Sequence, residues 1–238
     1  MIHRPYPSNS IEHASSERLL LAIEATRLNF GLTRSEVEAL VGRAMELGVR
    51  GVCVPVMLVP VAVGTLLRVG GVGLDVVAVA NFPTGDHPPG VVQRMVADAA
   101  AAGADHLDIV VPGGLVAQRD WRGVVDFLLA VRASAEAAAA KPIAMKVILE
   151  TAAWDDDRIR GAANSALESG ARWLKTSTGF HPAGGATTAV VRLLRSLAPS
   201  GVGIKASGGI RTRETALAML DAGADRIGTS AEEAILAG

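Results

Sequence analysis

Leu20-Leu21-Ala22-Ile23-Glu24-Ala25-Thr26-Arg27-Leu28 is the stretch on which the fold reading turns, because the strand count rests on it. Read as a weak strand, it opens a series of eight alternations of short apolar runs with helical segments. Thr33-Arg34-Ser35-Glu36 then starts a helix with a capping threonine and an acid three residues on, and Gly48 ends it. Gly51-Val52-Cys53-Val54-Pro55 is the second strand, followed by a helical segment toward Val69 and a glycine turn at 70–73. Residues 76–80 form the third strand and leave through Asn81-Phe82-Pro83-Thr84-Gly85, ahead of an alanine-rich helix after Pro89. Further strands are expected at 106–111, 143–149, 173–175, 202–206 and 226–229, with helices after Trp121, near Asp155, over 188–197 and after Thr212. A short segment over 231–236 closes the chain.

Eight such units suit a closed parallel (β/α)8 barrel better than an open sheet, the doubly wound sheet being the alternative. The expected organisation is a loosely ordered N-terminal extension over 1–18 and one barrel domain over 19–238. No linker or low-complexity stretch divides it. At 238 residues, half of them hydrophobic, the chain can bury a full core. Its net charge of −1, with both signs spread throughout, advertises no nucleic-acid or membrane face, so a small molecule is the expected partner. A single cysteine, Cys53, excludes an intrachain disulfide and fits a reducing compartment. No apolar run approaches the roughly 18 to 20 residues that span a bilayer, and the cluster at 19–23 is too short for a signal-peptide core, so a cytoplasmic location is expected.

Four ionisable residues interrupt runs that otherwise read as buried: Asp108 in Leu107-Asp108-Ile109-Val110-Val111, Lys146 in Met145-Lys146-Val147-Ile148, Lys175 in Trp173-Leu174-Lys175-Thr176-Ser177-Thr178-Gly179-Phe180, and Lys205 in Gly203-Ile204-Lys205-Ala206. One lysine at a strand end most often snorkels to solvent. Three lysines and an aspartate in one barrel lumen point to chemistry. A nucleophilic amine must be neutral, and a second ammonium at about 5 Å in an effective dielectric of about 20 repels it by about 3 kcal/mol, roughly 2 pKa units. An adjacent aspartate balances charge and moves protons, directly or through a water. The combination of paired lysines and an aspartate predicts Schiff-base catalysis. Ser207-Gly208-Gly209 and Gly228-Thr229-Ser230, after the last two strands, offer backbone N–H groups for an anion, and a phosphate fits.

Together with Asn81-Phe82-Pro83-Thr84-Gly85, the segments 146–151, 175–180 and 205–212 resemble the deoxyribose-phosphate aldolase family of class I aldolases over about 20–235. The resemblance implies reversible cleavage of 2-deoxy-D-ribose 5-phosphate to D-glyceraldehyde 3-phosphate and acetaldehyde. Lys175 would form the imine, Lys205 would be its partner cation, and Asp108 would handle protons with a water. Lys146 would shape the charge around the site, with Glu24, Thr176 and Cys53 in support, and Gly179, Ser207, Gly208, Gly209, Gly228, Thr229 and Ser230 would hold the phosphate. Neither metal nor organic cofactor is needed, because the iminium is the electron sink. Barrels of this type often form dimers, so a homodimer is expected. Cys53 aligns with a family cysteine near the site, with packing as its expected use.

Several positions depart from the pattern. Glu24 stands where an aspartate is usual, Pro112-Gly113-Gly114 reshapes the rim after Asp108, Ala231 replaces a second serine, and the chain stops at Gly238 without the tyrosine-ended tail of some members. The competing readings are a Schiff-base aldolase for another aldehyde or keto sugar, and a non-catalytic sugar-phosphate-binding barrel.

Overall fold

The computed structural model describes residues 9–238. Eight parallel strands close into a barrel in sequence order, β8 pairing with β1. They are β1 (Ile23–Thr26), β2 (Gly51–Pro55), β3 (Asp75–Ala80), β4 (His106–Val110), β5 (Ala144–Ile148), β6 (Trp173–Lys175), β7 (Gly203–Ser207) and β8 (Arg226–Thr229). The helices are α1 (Asn9–Ala22), α2 (Arg34–Leu47), α3 (Val59–Arg68), α4 (Pro89–Ala101), α5 (Gly113–Gln118), α6 (Trp121–Ala138), α7 (Asp156–Glu168), α8 (Thr188–Leu197), α9 (Arg213–Asp221) and α10 (Glu232–Ala237). The closed (β/α)8 topology excludes the doubly wound alternative.

The stretch 20–28 is not one strand. Its first three residues finish α1, and only Ile23–Thr26 enters the sheet. Helical spacing explains the division: Leu19 and Ala22 face the core together while Leu21 lies 59% exposed, an arrangement that strand alternation would not give. The expected loose extension falls partly on residues 1–8, which lie outside those described. From Asn9 the chain is helical, and Arg18 pairs with Asp221 of α9. The helix α5 was not expected. It begins after Pro112 and ends where Arg119 takes a left-handed conformation. Gly113 and Gly114, read as a rim change, are its first turn.

Along every strand, residues alternate between two cores. Ile23, Ala25, Val52, Val54, Ala78, Leu107, Ile109, Met145, Val147, Leu174, Ile204, Ala206 and Ile227 pack outward with the helices. Glu24, Asp108, Lys146, Lys175 and Lys205 occupy the opposite, lumen-facing parity, where Cys53, Val77 and Val79 form a small separate apolar cluster. A lysine or acid between two outward apolar residues is therefore aimed at the barrel axis. Two tryptophans pack over glycines: Trp121 covers Gly161, and Trp173 covers Gly203 beneath the Arg226 guanidinium.

The helix start at Thr33 carries a full capping box, Thr33 N–H donating to Glu36 Oε2 at 2.7 Å and Glu36 N–H to Thr33 Oγ1 at 3.3 Å. Thr33→Ala should therefore lower stability in urea titration by about 1 kcal/mol, leaving the slope of the transition unchanged.

Candidate active site

Four lumen side chains meet around Asp108. Its Oδ2 accepts from Lys175 Nζ at 2.7 Å and from Lys205 Nζ at 2.6 Å, and its Oδ1 accepts from Lys146 Nζ at 3.1 Å. Glu24 closes the cluster from β1, contacting Lys205 Nζ through Oε2 and lying 3.3 Å from Lys146 Nζ through Oε1. Strand register produces these contacts, since Asp108 is aligned with Lys146 and Lys175 with Lys205. Gly228 completes the ring by lacking a side chain: a Cβ there would lie 3.0 Å from Lys205 Cε. Lys146, Lys205, Asp108 and Glu24 are fully buried, whereas Lys175 is 3% exposed.

The three amines are not equivalent. Lys146 and Lys205 each touch both carboxylates, and Lys175 touches only one. Three amines face two carboxylates, and Lys175 is the amine with the fewest carboxylate partners. Burial lowers the Lys175 pKa, Asp108 pulls it back, and Lys205 pushes it down again. Burial acts against charge on Lys205 too, but Asp108 and Glu24 outweigh it and hold that ammonium above its ordinary range. Asp108 is held well below the carboxylate range, its burial overcome by Lys146, Lys175 and Lys205; Glu24 is lowered through Lys146 and Lys205. Dehydration leads at Lys175, and the cation repulsion expected from the sequence is secondary.

Above Lys175 a cavity of about 270 Å³ opens at the C-terminal end of the strands. Gly179, Ser207, Gly208, Gly209, Gly228, Thr229 and Ser230 all line it, as does Lys175. Gly179, Gly208 and Gly209 have φ of +84°, +88° and +78°, which glycine alone adopts freely, and Gly179 and Gly208 approach closely. Two of the expected hydroxyls are already committed. Ser207 Oγ donates to Ser177 O at 2.6 Å, and Thr229 Oγ1 donates to Ile210 O at 2.7 Å. Thr176 does not line the cavity. Its hydroxyl donates to Ser207 O at 3.1 Å and accepts from Ser207 N–H at 3.0 Å, joining the exits of β6 and β7.

The deoxyribose-phosphate aldolase of Kocuria rhizophila is 41% identical over 220 residues, covering 92% of this chain and 96% of the relative. The chain belongs to the deoxyribose-phosphate aldolase family. The relative from Mycobacterium tuberculosis is 42% identical over 225 residues, covering 93% and 96%. A solved deoxyribose phosphate aldolase from Aeropyrum pernix, described as tetrameric, superposes with a TM-score of 0.82 at 30% identity over 98% of this chain and 97% of that one. A scan against protein-family models finds no match.

Against the family pattern, Glu24 fills its position as a buried carboxylate in contact with two lysines. Cys53 is fully buried; burial raises its thiol pKa, with the charges of Lys205, Asp108, Lys175 and Glu24 near it. Among the described residues, no group of three or more His, Cys, Asp or Glu is placed to hold a metal ion.

Sequence reasoning passed over Glu150, although it lies within a quoted motif. It is 8% exposed in a left-handed conformation, and its carboxylate accepts from Thr178 N–H at 3.2 Å and Thr178 Oγ1 at 2.5 Å. Thr178 Oγ1 in turn accepts from Phe180 N–H at 3.1 Å, so Glu150 holds the loop after Lys175. The positive φ is the signal that sequence did not display.

Burial of Lys175 has a thermodynamic sign. Its pKa is lowered in the folded chain, so the unfolded chain binds more protons between that lowered value and the ordinary 10.5, and stability rises with pH across the window. Below it, the lysine opposes folding. Lys175→Met should raise thermal stability near neutral pH, by roughly 1–2 kcal/mol, and flatten the pH dependence, as read by calorimetry between pH 6 and pH 10.

Proposed function

We propose that the chain reversibly cleaves 2-deoxy-D-ribose 5-phosphate to D-glyceraldehyde 3-phosphate and acetaldehyde through a Schiff base on Lys175. The observation that carries this reading is the contrast among the amines: Lys175, at the cavity, contacts one carboxylate, while Lys205 and Lys146 behind it contact two.

The neutral Lys175 amine attacks the C1 carbonyl of the open-chain sugar, and the carbinolamine loses water to give an iminium. The iminium withdraws the electron pair of the C2–C3 bond as the C3 hydroxyl gives up its proton to Asp108, directly or through a water. The triose phosphate leaves, the enamine is protonated at C2, and hydrolysis frees acetaldehyde and the Lys175 amine. Lys205 stays charged throughout, fixed by Glu24 and Asp108, and disfavours a second ammonium beside it. Glu24 and Lys146 set the charge balance and take no part in bond making. The glycines after β6, β7 and β8 present backbone N–H groups to the phosphate.

We infer that the working form is a homodimer in the cytoplasm. Phe30 and Met57, 105% and 81% exposed, offer apolar surface for association. No helix among the described residues is long and apolar enough to cross a membrane.

Borohydride reduction with acetaldehyde, followed by peptide mass mapping, should place the adduct on Lys175 and give none in Lys175→Met. An adduct on no lysine, in folded protein, rejects the mechanism. Lys205→Met should lower kcat by about 100-fold or more with phosphorylated substrate. Because the nucleophile must be neutral, kcat/KM should rise with pH through the lowered Lys175 value and level off below 10.5. A profile still climbing there would mean that Lys175 titrates as an ordinary lysine.

A further inference from the structure

Two guanidinium groups line the cavity, Arg27 and Arg211, and they are held differently. Arg211 is exposed, and no side-chain partner fixes it among the described residues. Arg27 follows β1 and is clamped. Its Nη2 donates to Glu232 Oε1 at 2.6 Å, and its Nη1 donates to Glu232 Oε2 at 3.1 Å and to Thr26 O at 3.0 Å. The Arg27 backbone N–H also donates to Cys53 O at 3.0 Å, so both ends of the residue are fixed. Glu232 is 2% exposed, and the Arg27 side chain keeps 32% of its surface open.

We propose that Arg27 is the fixed cation that recognises the substrate's phosphate, a specificity-determining residue for the reaction above. The inference rests on the phosphosugar reading and deepens it. Its position follows from register: Ala25 of β1 is aligned with Thr229 of β8, so Arg27 stands beside the Ser230 end of the cradle. The need follows from the cradle's chemistry. Ser207 and Thr229 have committed their hydroxyls, and Ala231 has none to give. Backbone N–H groups and Ser230 then face a phosphate without a fixed charge among them.

Arg27 has the donors to supply it. Among the described residues its Nε–H and the second Nη2 proton have no partner, and a guanidinium can bind carboxylate on one edge and phosphate on another. Glu232 explains the rigidity. A carboxylate buried to this degree is costly without a partner, and as a partner it holds the guanidinium in one rotamer before substrate arrives.

The test compares the native chain with Arg27→Lys and with the double variant Arg27→Met/Glu232→Leu, which leaves no buried carboxylate unpaired. The readout is the ratio of kcat/KM for deoxyribose 5-phosphate to that for unphosphorylated deoxyribose. The ratio should fall about 10- to 100-fold in the double variant, through KM of the phosphorylated sugar, with Arg27→Lys intermediate. Thermal stabilisation by inorganic phosphate, which needs no turnover, should be lost in parallel. An unchanged ratio with undiminished phosphate stabilisation, in either folded variant, would reduce Arg27 to a staple and overturn the proposal. A native chain that traps no acetaldehyde yet loses phosphate stabilisation with Arg27 would overturn the aldolase chemistry and uphold the anion anchor.

Discussion

Three lysines share two carboxylates inside a closed barrel, and this imbalance is the constraint on which the rest of the site depends. Ionised groups without water must be paired, so Asp108 and Glu24 can support only two ammonium ions. Geometry sets the three amines apart, because Lys146 and Lys205 bridge both acids and Lys175 reaches only Asp108. Asp108 thus holds Lys175 in place by the same contact that would otherwise keep it charged. Burial leads in disfavouring the Lys175 cation, and Lys205 adds to it, against the pull of Asp108.

The barrel is what makes so charged a lumen tolerable. The large apolar core lies outside the strands, among the helices, and stability does not have to come from the axis. The lumen cluster of Cys53, Val77 and Val79 is small, and Gly228 leaves room for the Lys205 chain. The result is a structure whose packing and chemistry occupy opposite parities of the same eight strands. A one-residue register slip in any strand would exchange them.

That division also explains what could be read from the sequence. A single charge between outward-facing apolar residues, as in Leu107-Asp108-Ile109 or Met145-Lys146-Val147, announces a lumen position, and four of the five lumen charges stood out this way. Glu24 was less visible because β1 is only four residues long and runs directly on from α1, blurring period two into period 3.6. The short helix α5 was hidden by its two glycines. Contacts between loops were not legible at all. Sequence showed that Ser207 and Thr229 had hydroxyls, but not that neighbouring carbonyls had claimed them. It placed Glu150 in a motif without revealing the backbone turn that aims it at Thr178.

The same limit hid Arg27, and its position shows how the floor and the rim of the site are joined. Glu24 and Arg27 lie three residues apart on one segment: the first faces the lysines, the second the cavity mouth. Each is matched by a residue distant in the chain, Glu24 by Lys205 and Arg27 by Glu232. The four-residue β1 and the residue that follows it therefore carry one member of each charged pair, one in the lumen and one at the cavity. A shift of β1 along the axis would misplace both at once. Its backbone bonds to β2 and β8 fix the spacing between the lumen carboxylate of Glu24 and the cavity-facing guanidinium of Arg27.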